Sequence, residues 1–353
     1  MRALVAMSGG VDSSVAAALT LAEGHEVVGV TLKQWVGEDG RLPATGCCTV
    51  ADAEDARSVA ARLGIRHYVL DHVADFTREV VDRFVAGYRA GLTPNPCIEC
   101  NRRVRFGALF DRLEALGCDF LVTGHHARVV RRDGSARLLV GRDGDKDQSY
   151  VLHMLSSDRL ERVRLPIGEL TKAEVREHAS RLGLRTAAKP DSQDLCFVDG
   201  DYRQFLARRA GVGQAGEVVD RGGNVLAVHD GVGRFTVGQR RGLGISGGEQ
   251  RFVLETDSAT GRVVVGSRHD LASRGCIVSE VGFIGAAEPP GTEVAVKVRY
   301  RTPPVPARIF PEGDEWRVEF QRPQEAVAPG QAAVFYRGDE VLGGGTILTT
   351  VAA

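Results

Sequence analysis

The sequence predicts an α/β protein with three parts: an N-terminal domain built on a parallel β-sheet, a small β-rich central domain and a C-terminal antiparallel β-barrel. Apolar, strand-like runs alternate with helical patterns through the first half, which is typical of a parallel sheet covered by helices. Past about residue 205 the segments become short and β-rich, separated by Gly, Asp and Asn turns. The final segments, WRVEF and AAVFYRGDEVLGGGTIL, have the pattern of a small barrel. We expect domains at 1–205, 206–275 and 276–353.

The elements of the first half follow from hydrophobic periodicity. Short apolar runs such as ALVAM and EVVGVTL indicate buried strands, and Ala, Val and Leu spaced by three and four indicate helices. The predicted strands are 3–7, 26–32, 67–72 and 119–126, and the predicted helices are 13–23, 51–63, 74–90 and 101–116. A hairpin with a DGS turn is expected at 126–142. Thr171 and Glu174 form a capping box that begins a helix at 171–182.

Composition narrows the class of protein. The chain has 353 residues, of which 43% are hydrophobic and 26% charged, as in an ordinary globular protein and unlike a disordered chain. The 45 Lys and Arg against 46 Asp and Glu exclude a uniformly basic nucleic-acid coat but allow a local basic patch. No apolar run approaches the roughly 18–20 residues of a membrane helix, and the N-terminus lacks a signal peptide. We therefore expect a cytoplasmic protein with no membrane partner.

The chain has seven cysteines, an odd number, which argues against structural disulfides. It favours catalytic, redox or metal-binding roles for some of them. Cys118 and Cys276 lie beside apolar runs and are expected to be small buried hydrophobic residues. Cys47 and Cys48 have no assignable role, and a pair on a mobile loop is the simplest interpretation. The remaining three are Cys97, Cys100 and Cys196.

A glycine-rich loop, SGGVDSS at 8–14, lies between the first strand and the first helix. Its glycines allow backbone N–H groups to approach an anion, and the helix N-terminus adds partial positive charge. It lacks the lysine of the GxxxxGK[ST] loop, so it suits holding pyrophosphate as a leaving group better than transferring a terminal phosphate. A plain Gly-Gly turn is the alternative, but nucleotides bind at this place in such sheets.

A second motif, TPNPCIECN at 93–101, places two thiols where a helix is expected to begin, at Asn101. The helix N-terminus and the nearby Arg102, Arg103 and Arg105 should lower the pKa of a thiol there and make it a nucleophile. A CxxC pair alone also fits a redox pair or a structural zinc site. Cys196, in KPDSQDLCF, could by itself be a buried residue beside Phe197.

Taken together, these segments resemble one family. SGGVDSS, GCCTVADAEDA, TPNPCxxCN, FLVTGHHA, GDKDQSYVLHML, KPDSQDLCF and TVGQRRGLG occur in the order seen in the tRNA-specific 2-thiouridylases (tRNA-uridine 2-sulfurtransferases). These are PP-loop ATP pyrophosphatases, with an adenine nucleotide alpha hydrolase-like fold. The resemblance extends over essentially the whole chain. It implies ATP-dependent 2-thiolation of the wobble uridine (U34) of Lys, Glu and Gln tRNAs, through adenylation of the uridine 2-oxygen and sulfur transfer from a cysteine persulfide.

The resemblance also implies site residues. Cys100 matches the nucleophile, which frees the sulfur or closes a disulfide, and Cys196 matches the persulfide-bearing cysteine. The residues that match the site of ATP, taken with Mg²⁺, are Ala6, Met7, Ser8, Gly9, Gly10, Val11, Asp12, Ser13, Leu32 and Gly124. Those matching contacts to the target base or to tRNA are Asn95, Pro96, Cys97, Lys146, Asp147, Gln148, Arg299 and Tyr300. A persulfide donor, such as a cysteine desulfurase or a relay protein, is the implied partner.

Cys97 departs from the family pattern, because members often carry Asp there with an acid/base role. A third thiolate opens an alternative in which Cys97, Cys100 and Cys196 hold an iron–sulfur cluster, as in some sulfur-transferring PP-loop enzymes. We favour the metal-free persulfide route, because a CxxC pair does not specify a metal and clusters more often have four cysteines. Rival functions are an adenylating ligase that makes an amide bond, which needs no paired cysteines, and a non-catalytic RNA-binding protein that keeps a nucleotide.

Overall fold

The computed structural model describes residues 1–37, 49–191, 195–198, 200–211, 213–245 and 249–353. These fold as two compact units. The first consists of Met1–Val81, Pro96–Asp199 and Asp339–Leu342, and the second of Asp82–Asn95, Gly200–Gly338 and Gly343–Ala353. The segment Asp82–Asn95 thus belongs with the second unit although it lies within the first half of the sequence. The expected three-domain boundaries near 205 and 275 stay a prediction.

The first unit contains a parallel five-stranded sheet, which confirms the predicted fold class. Its strands are β1 Arg2–Ala6, β2 Glu26–Lys33, β3 Arg66–Asp71, β4 Phe120–Val122 and β5 Val163–Arg164, in the spatial order β3-β2-β1-β4-β5. Every pair of neighbours is parallel. The principal helices around it are Val11–Ala22, Val50–Leu63, Phe106–Ala115 and Lys172–Arg181.

Burial follows the position of each strand in this sheet. In the central strands β1, β2 and β4, every residue is buried except the first and last of β1 and of β2, as the apolar runs predict. The helix Val11–Ala22 packs its small side chains Val15, Ala16 and Ala17 into the same core. The strand β3 is different, because it lies at an edge and exposes Tyr68 and Val69. The expectation of helical cover on both faces therefore holds for the centre of the sheet and not for β3.

Two predicted helices contain π-helical turns. The helix expected at 74–90 is Val73–Phe76, a π-helix Thr77–Val81 and then Asp82–Arg89. The helix expected at 101–116 begins earlier, at Pro96, and runs through Pro96–Glu99, a π-helix Cys100–Arg105 and Phe106–Ala115. The predicted start at Asn101 is therefore wrong: proline is well suited to a first helical position, and both thiols of the CxxC motif lie inside the helical run.

The remaining elements of the first unit agree with their local signals. The hairpin pairs Ala127–Arg132 with Ser135–Val140, and its turn residues Asp133 and Gly134 both have positive φ, as a tight hairpin turn requires. Its second strand also pairs with Glu340 and Val341. The capping box of Thr171 and Glu174 is present at the helix Lys172–Arg181. Short helical turns occur at Ser149–Leu152, Ser157–Glu161 and Pro166–Glu169.

The second unit is β-rich. A four-stranded sheet has the order Phe252–Asp257, Arg262–Gly266, Gly216–Asp220, Val225–His229. A six-stranded antiparallel barrel closes because its first strand pairs with its last. The barrel strands are Ala272–Phe283, Thr292–Lys297, Val305–Glu312, Glu315–Glu325, Ala332–Arg337 and Glu340–Ala352. The helices of this unit are Asp82–Arg89 and Tyr202–Ala210, with short turns at Val232–Arg234 and His269–Leu271. None of the helices that the structure describes has the length and apolar character to cross a membrane.

Candidate active site

Three neighbouring strands of the parallel sheet end at the same edge, and each leads into residues of the candidate site. The strand β1 leads into the loop Ser8–Gly10, β2 leads into Gln34 and Trp35, and β4 leads into Gly124–His126. The carboxyl edge of a parallel sheet, beside its central strands, is where such folds bind ligands. The loops that follow these three strands are therefore at the edge where a ligand is expected to bind.

The loop after β1 is arranged to receive an anion. Gly10 is the N-cap of the helix Val11–Ala22, and no described side chain caps its first turn. The hydroxyls of Ser13 and Ser14 both donate to the Gly10 carbonyl, at 3.1 and 2.8 Å, while the Ser8 amide donates to the Ser13 hydroxyl at 3.1 Å. These bonds hold the loop in shape while the helix N-terminus faces out of it. Such a terminus favours a phosphate.

Two positions of the site have room only for glycine. A Cβ atom on Gly9, which has a φ of 72°, would lie 2.2 Å from the Asp52 carbonyl oxygen. One on Gly124 would lie 2.5 Å from the Ser13 backbone nitrogen. Gly124 therefore lies directly against the phosphate loop, and its expected contact with ATP stays a prediction. Leu32 and Met7 are both buried, and the Thr31 hydroxyl donates to the Met7 carbonyl at 2.6 Å.

Asp12 is the charged residue of the loop. Its carboxylate lies 3.2 Å from Nε2 of the buried His126 and 2.7 Å from Nζ of Lys172. Burial alone would raise the pKa of Asp12, but the hydrogen bonds from His126 and Lys172 outweigh it and hold that pKa below its usual value. Asp12 is consequently a carboxylate at neutral pH, next to an ammonium group.

Lys172 connects the loop to Asp191. Its Nζ lies 2.9 Å from the Asp191 carboxylate, which also accepts from Lys146 at 2.9 Å and from Arg176 at 2.8 Å. Partial burial would raise the pKa of Asp191, but the hydrogen bonds and charges of Lys172 and Lys146 lower it to about 2. Three cations thus share two carboxylates beside the phosphate loop. An incoming polyphosphate would find positive charge already concentrated there.

Lys189 fixes the backbone of the loop from the other side. Its Nζ donates to the Gly9 carbonyl at 3.0 Å, to Asp52 at 2.6 Å and to Asp55 at 2.5 Å. Both aspartates are buried, and Asp52 also completes the capping box with Thr49 at the start of the helix Val50–Leu63. Desolvation would lower the pKa of Lys189, yet its two carboxylate partners raise it. This lysine is charged and ties a buried acidic pair to the loop.

The two predicted sulfur-chemistry cysteines lie in segments that contact the same dipeptide. Cys100 is buried, and Nε2 of Gln34 donates to its Sγ at 3.3 Å. Cys196 is half-buried, and its neighbour Phe197 packs edge-on against Trp35 with ring centroids 6.1 Å apart. Because Gln34 and Trp35 are adjacent, the segments of Cys100 and Cys196 meet around the residues that follow β2. Cys97 is exposed.

The described residues also bear on the iron–sulfur alternative and on the remaining cysteines. No disulfide joins Cys100 to Cys196 there, and Cys97, Cys100 and Cys196 are not gathered into a group of three ligands for a metal ion. Cys118 and Cys276 are buried, as predicted, and burial raises the pKa of both thiols, to about 12 for Cys276. Cys47 and Cys48 lie outside the described residues.

The residues expected to contact tRNA occupy different settings. Asp147 is buried and accepts from the amides of Gly141 and Ser149, and the Gln148 side chain accepts from the His126 amide at 2.9 Å. These two side chains shape their own turn, and direct RNA contact by them stays a prediction. In the second unit, Arg299 donates to the Val237 carbonyl at 3.5 Å and Lys297 lies over the Tyr300 ring. Both Arg299 and Tyr300 are partly exposed, as are Asn95 and Lys146.

Sequence reasoning missed several residues of this site. They are Gln34, His126, Lys172, Asp191 and Lys189. Three had a usable signal, because His126 lies in the quoted FLVTGHHA segment and Lys189 and Asp191 lie in KPDSQDLCF. Lys172 had none beyond following a capping threonine, since its contact with Asp12 joins residues 160 positions apart.

Comparison with known proteins finds family models and relatives that together span the chain. The tRNA methyl transferase HUP domain family matches residues 1–200, its PRC-barrel domain family 203–267 and the aminomethyltransferase beta-barrel domain family 273–347. A tRNA-specific 2-thiouridylase MnmA from Geobacter metallireducens is 47% identical over 98% of this chain and 96% of its own. The chain belongs to the tRNA-specific 2-thiouridylase family, a family of sulfurtransferases.

Further comparisons extend this result. The 2-thiouridylase MnmA from Carboxydothermus hydrogenoformans is 48% identical, with 98% of this chain and 97% of the relative covered. Among solved structures, a 4-thiouridine synthetase in complex with RNA and ATP is similar to 59% of this chain and 50% of its own length, at 20% identity and a TM-score of 0.39. The family assignment rests on the full-length sequence matches.

Proposed function

We propose that this enzyme uses ATP to activate the 2-oxygen of the wobble uridine, U34, in Lys, Glu and Gln tRNAs and replaces that oxygen with sulfur carried as a persulfide on Cys196. The observation that carries the proposal is the arrangement at one edge of the sheet. A phosphate loop follows β1, and two thiol-bearing segments meet around the residues that follow the adjacent strand β2. ATP and tRNA are cytoplasmic molecules, and we place the enzyme in the same compartment.

The loop and its cations account for activation. The uridine 2-oxygen attacks the α-phosphorus of ATP, and the bond to pyrophosphate breaks. The N-terminus of the helix Val11–Ala22 and the Lys172 ammonium would stabilise the negative charge of the leaving pyrophosphate. Mg²⁺ bound to the phosphates would supply further charge neutralisation, and Asp12 is the carboxylate at the loop that suits such a cation.

The cysteines account for sulfur transfer. The terminal sulfur of the Cys196 persulfide attacks C2 of the activated uridine, and AMP leaves with the former 2-oxygen. The Cys100 thiolate then attacks Sγ of Cys196 and forms a Cys100–Cys196 disulfide. The electron pair of the broken sulfur–sulfur bond leaves with the thiolated base. An external dithiol reduces the disulfide, and a cysteine desulfurase or relay protein reloads Cys196.

Recognition of the tRNA is assigned to polar and basic residues of both units. Asn95, Pro96 and Cys97 would lie against the target base, and Lys146 would meet the RNA from the turn that also contains Asp147 and Gln148. The partly exposed Arg299 and Tyr300 of the barrel supply a cation and a ring, which suit phosphate contact and base stacking.

The test is a reconstituted reaction with ATP, a persulfide source and unmodified tRNA. AMP release and 2-thiouridine, measured by mass spectrometry, should both require tRNA. Cys196→Ser should still release pyrophosphate but form neither AMP nor 2-thiouridine, and Cys100→Ser should form no 2-thiouridine, whereas Cys118→Ala should resemble the wild type. AMP release without 2-thiouridine in the wild type, unchanged in Cys196→Ser, would favour an amide-forming ligase. Absence of AMP under all conditions would favour a non-catalytic RNA-binding protein.

A further inference from the structure

A buried amide side chain lies beside the sulfur of Cys100. Gln34 directly follows the strand β2, is 2% exposed, and donates from Nε2 to Sγ of Cys100 at 3.3 Å. Burying an amide is costly unless it is hydrogen-bonded, and the Cys100 sulfur is one of the partners of this amide. The two residues are 66 positions apart, and this contact is therefore a product of the fold rather than of local sequence.

The residue next to Gln34 fixes the position of this contact. Trp35 is buried and packs against Phe76, with ring centroids 6.4 Å apart, and against Phe197, at 6.1 Å. Phe76 and Phe197 also contact each other edge-on, at 5.8 Å. Three mutually packed aromatic rings hold this part of the chain rigidly. The amide of Gln34 is thus aimed at Cys100 from a stable base that also contacts the neighbour of Cys196.

We infer that Gln34 is a positioning residue for Cys100, whose side-chain N–H holds the sulfur in place and stabilises its thiolate form. The inference rests on the proposed function for the reaction that the thiolate performs, but the contact itself is independent of that reaction. A hydrogen bond to an anionic sulfur is stronger than one to a neutral thiol, so the Gln34 amide favours the reactive form. Gln34 itself forms no bond to the substrate in this role.

Other charged groups lie on the elements around Cys100 and must stay unchanged in the test. They are Glu99, Arg102, Arg103 and Arg105 on its own helical run and Glu79 on the π-helix Thr77–Val81, which pairs with Arg103. His153, at the end of the adjoining turn Ser149–Leu152, is buried, and burial lowers its pKa to about 4, so it is neutral at assay pH. Substituting Gln34 alone leaves this set intact.

The test compares Gln34→Met, which keeps the length of the side chain and removes the donor, with the wild type. Alkylation of Cys100 by iodoacetamide is followed from pH 6 to 10 by mass spectrometry of tryptic peptide 90–102, with Cys97 in the same peptide as internal reference. We expect the Cys100 midpoint to rise by about one pH unit and its rate near neutral pH to fall about tenfold. Cys97 should be unchanged.

Two further variants separate this effect from loss of stability. Gln34→Glu keeps the shape and places a carboxylate by the sulfur, so its midpoint should rise further; it also serves if Gln34→Met does not fold. Leu113→Ala leaves a cavity at a buried position of the helix Phe106–Ala115; it should lower stability and leave the Cys100 midpoint unchanged. An unchanged Cys100 profile in both Gln34 variants would overturn the inference. Because the readout needs neither ATP nor tRNA, that result is distinct from failure of the proposed function, which active Cys100→Ser enzyme would reveal.

Discussion

The ammonium of Lys172 lies 2.7 Å from Oδ2 of Asp12, which joins the first residue of a distant helix to the phosphate loop. Both side chains are largely buried, and Lys172 is shared with Asp191. Removing one partner of a buried ion pair is costly because it leaves an uncompensated charge. Substituting Lys172 therefore tests whether this loop holds the phosphates of ATP.

Replacing Lys172 by Met should abolish most of the tRNA-dependent release of AMP. The variant leaves Asp12 and Asp191 facing incoming phosphates without their shared cation, so we expect kcat/KM for ATP to fall about 100-fold or more. Arg181→Met, on the exposed face of the same helix, is the matched control and should keep activity near the wild-type level. Wild-type kinetics in the Lys172 variant would show that the phosphates lie elsewhere.

A methyl group on Gly124 should block the nucleotide site. In Gly124→Ala the added Cβ would lie 2.5 Å from the Ser13 nitrogen, so the loop must move, at a cost of about 1–3 kcal/mol. Calorimetric titration with ATP should show affinity reduced about tenfold or more. Gly144→Ala is the control, because its Cβ points into open space among the described residues and should leave ATP affinity unaltered. Equal affinities in the two variants would argue against a position of Gly124 at the ATP site.

Lys189→Met should destabilise the first unit. The substitution leaves Asp52 and Asp55 buried with a missing partner, although Arg185 still pairs with Asp55 at 2.7 Å, and the expected loss is about 3 kcal/mol. Urea unfolding at pH 7 measures this loss. Wild-type stability in the variant would contradict the role of Lys189 as the partner of the buried aspartates.

Local patterns were sufficient to predict much of the fold. The strands β1 and β2, the hairpin with its Asp133-Gly134 turn and the capping box of Thr171 all depend on residues within a few positions of one another. The phosphate loop was likewise predictable, because a glycine-rich turn between a strand and a helix carries its own geometry. Such features are specified by neighbouring residues, and a single sequence is enough to predict them.

The charged network could not be predicted, because its contacts join residues that are far apart in the sequence. Lys172 with Asp12, Lys189 with Asp52 and Gln34 with Cys100 join residues 160, 137 and 66 positions apart. Nothing in the local pattern of either partner indicates the other, and only the arrangement of the strands brings them together. The exposed β3 and the helix start at Pro96 are further examples, since sheet order and backbone geometry decide them.

The pKa of Asp191, about 2, gives stability a defined dependence on pH. A carboxyl with a lowered folded-state pKa stabilises the fold above its unfolded pKa, near 3.8, and that contribution is lost as pH falls from about 4 to 2. The contribution is about 2 kcal/mol. Asp191→Asn should remove it, so the stability difference between wild type and variant should be large at pH 7 and vanish near pH 2. Urea unfolding at several pH values measures that difference, and a constant gap would contradict the ion pairing with Lys172 and Lys146.

Binding of tRNA should depend steeply on salt despite the net charge of −1. Local positive charge must supply the contact, from Arg102, Arg103, Lys146 and Arg299 to Arg301, and each phosphate contact releases about one counterion. The plot of log affinity against log salt should therefore be steep, and Arg299→Ala should reduce its slope by about one. Arg308→Ala, on a strand of the barrel and paired with Glu293, should leave the slope unchanged. Filter binding between 50 and 300 mM salt provides the measurement. A flat wild-type slope, or equal slopes in wild type and the Arg299 variant, would remove the barrel arginine from the RNA contact.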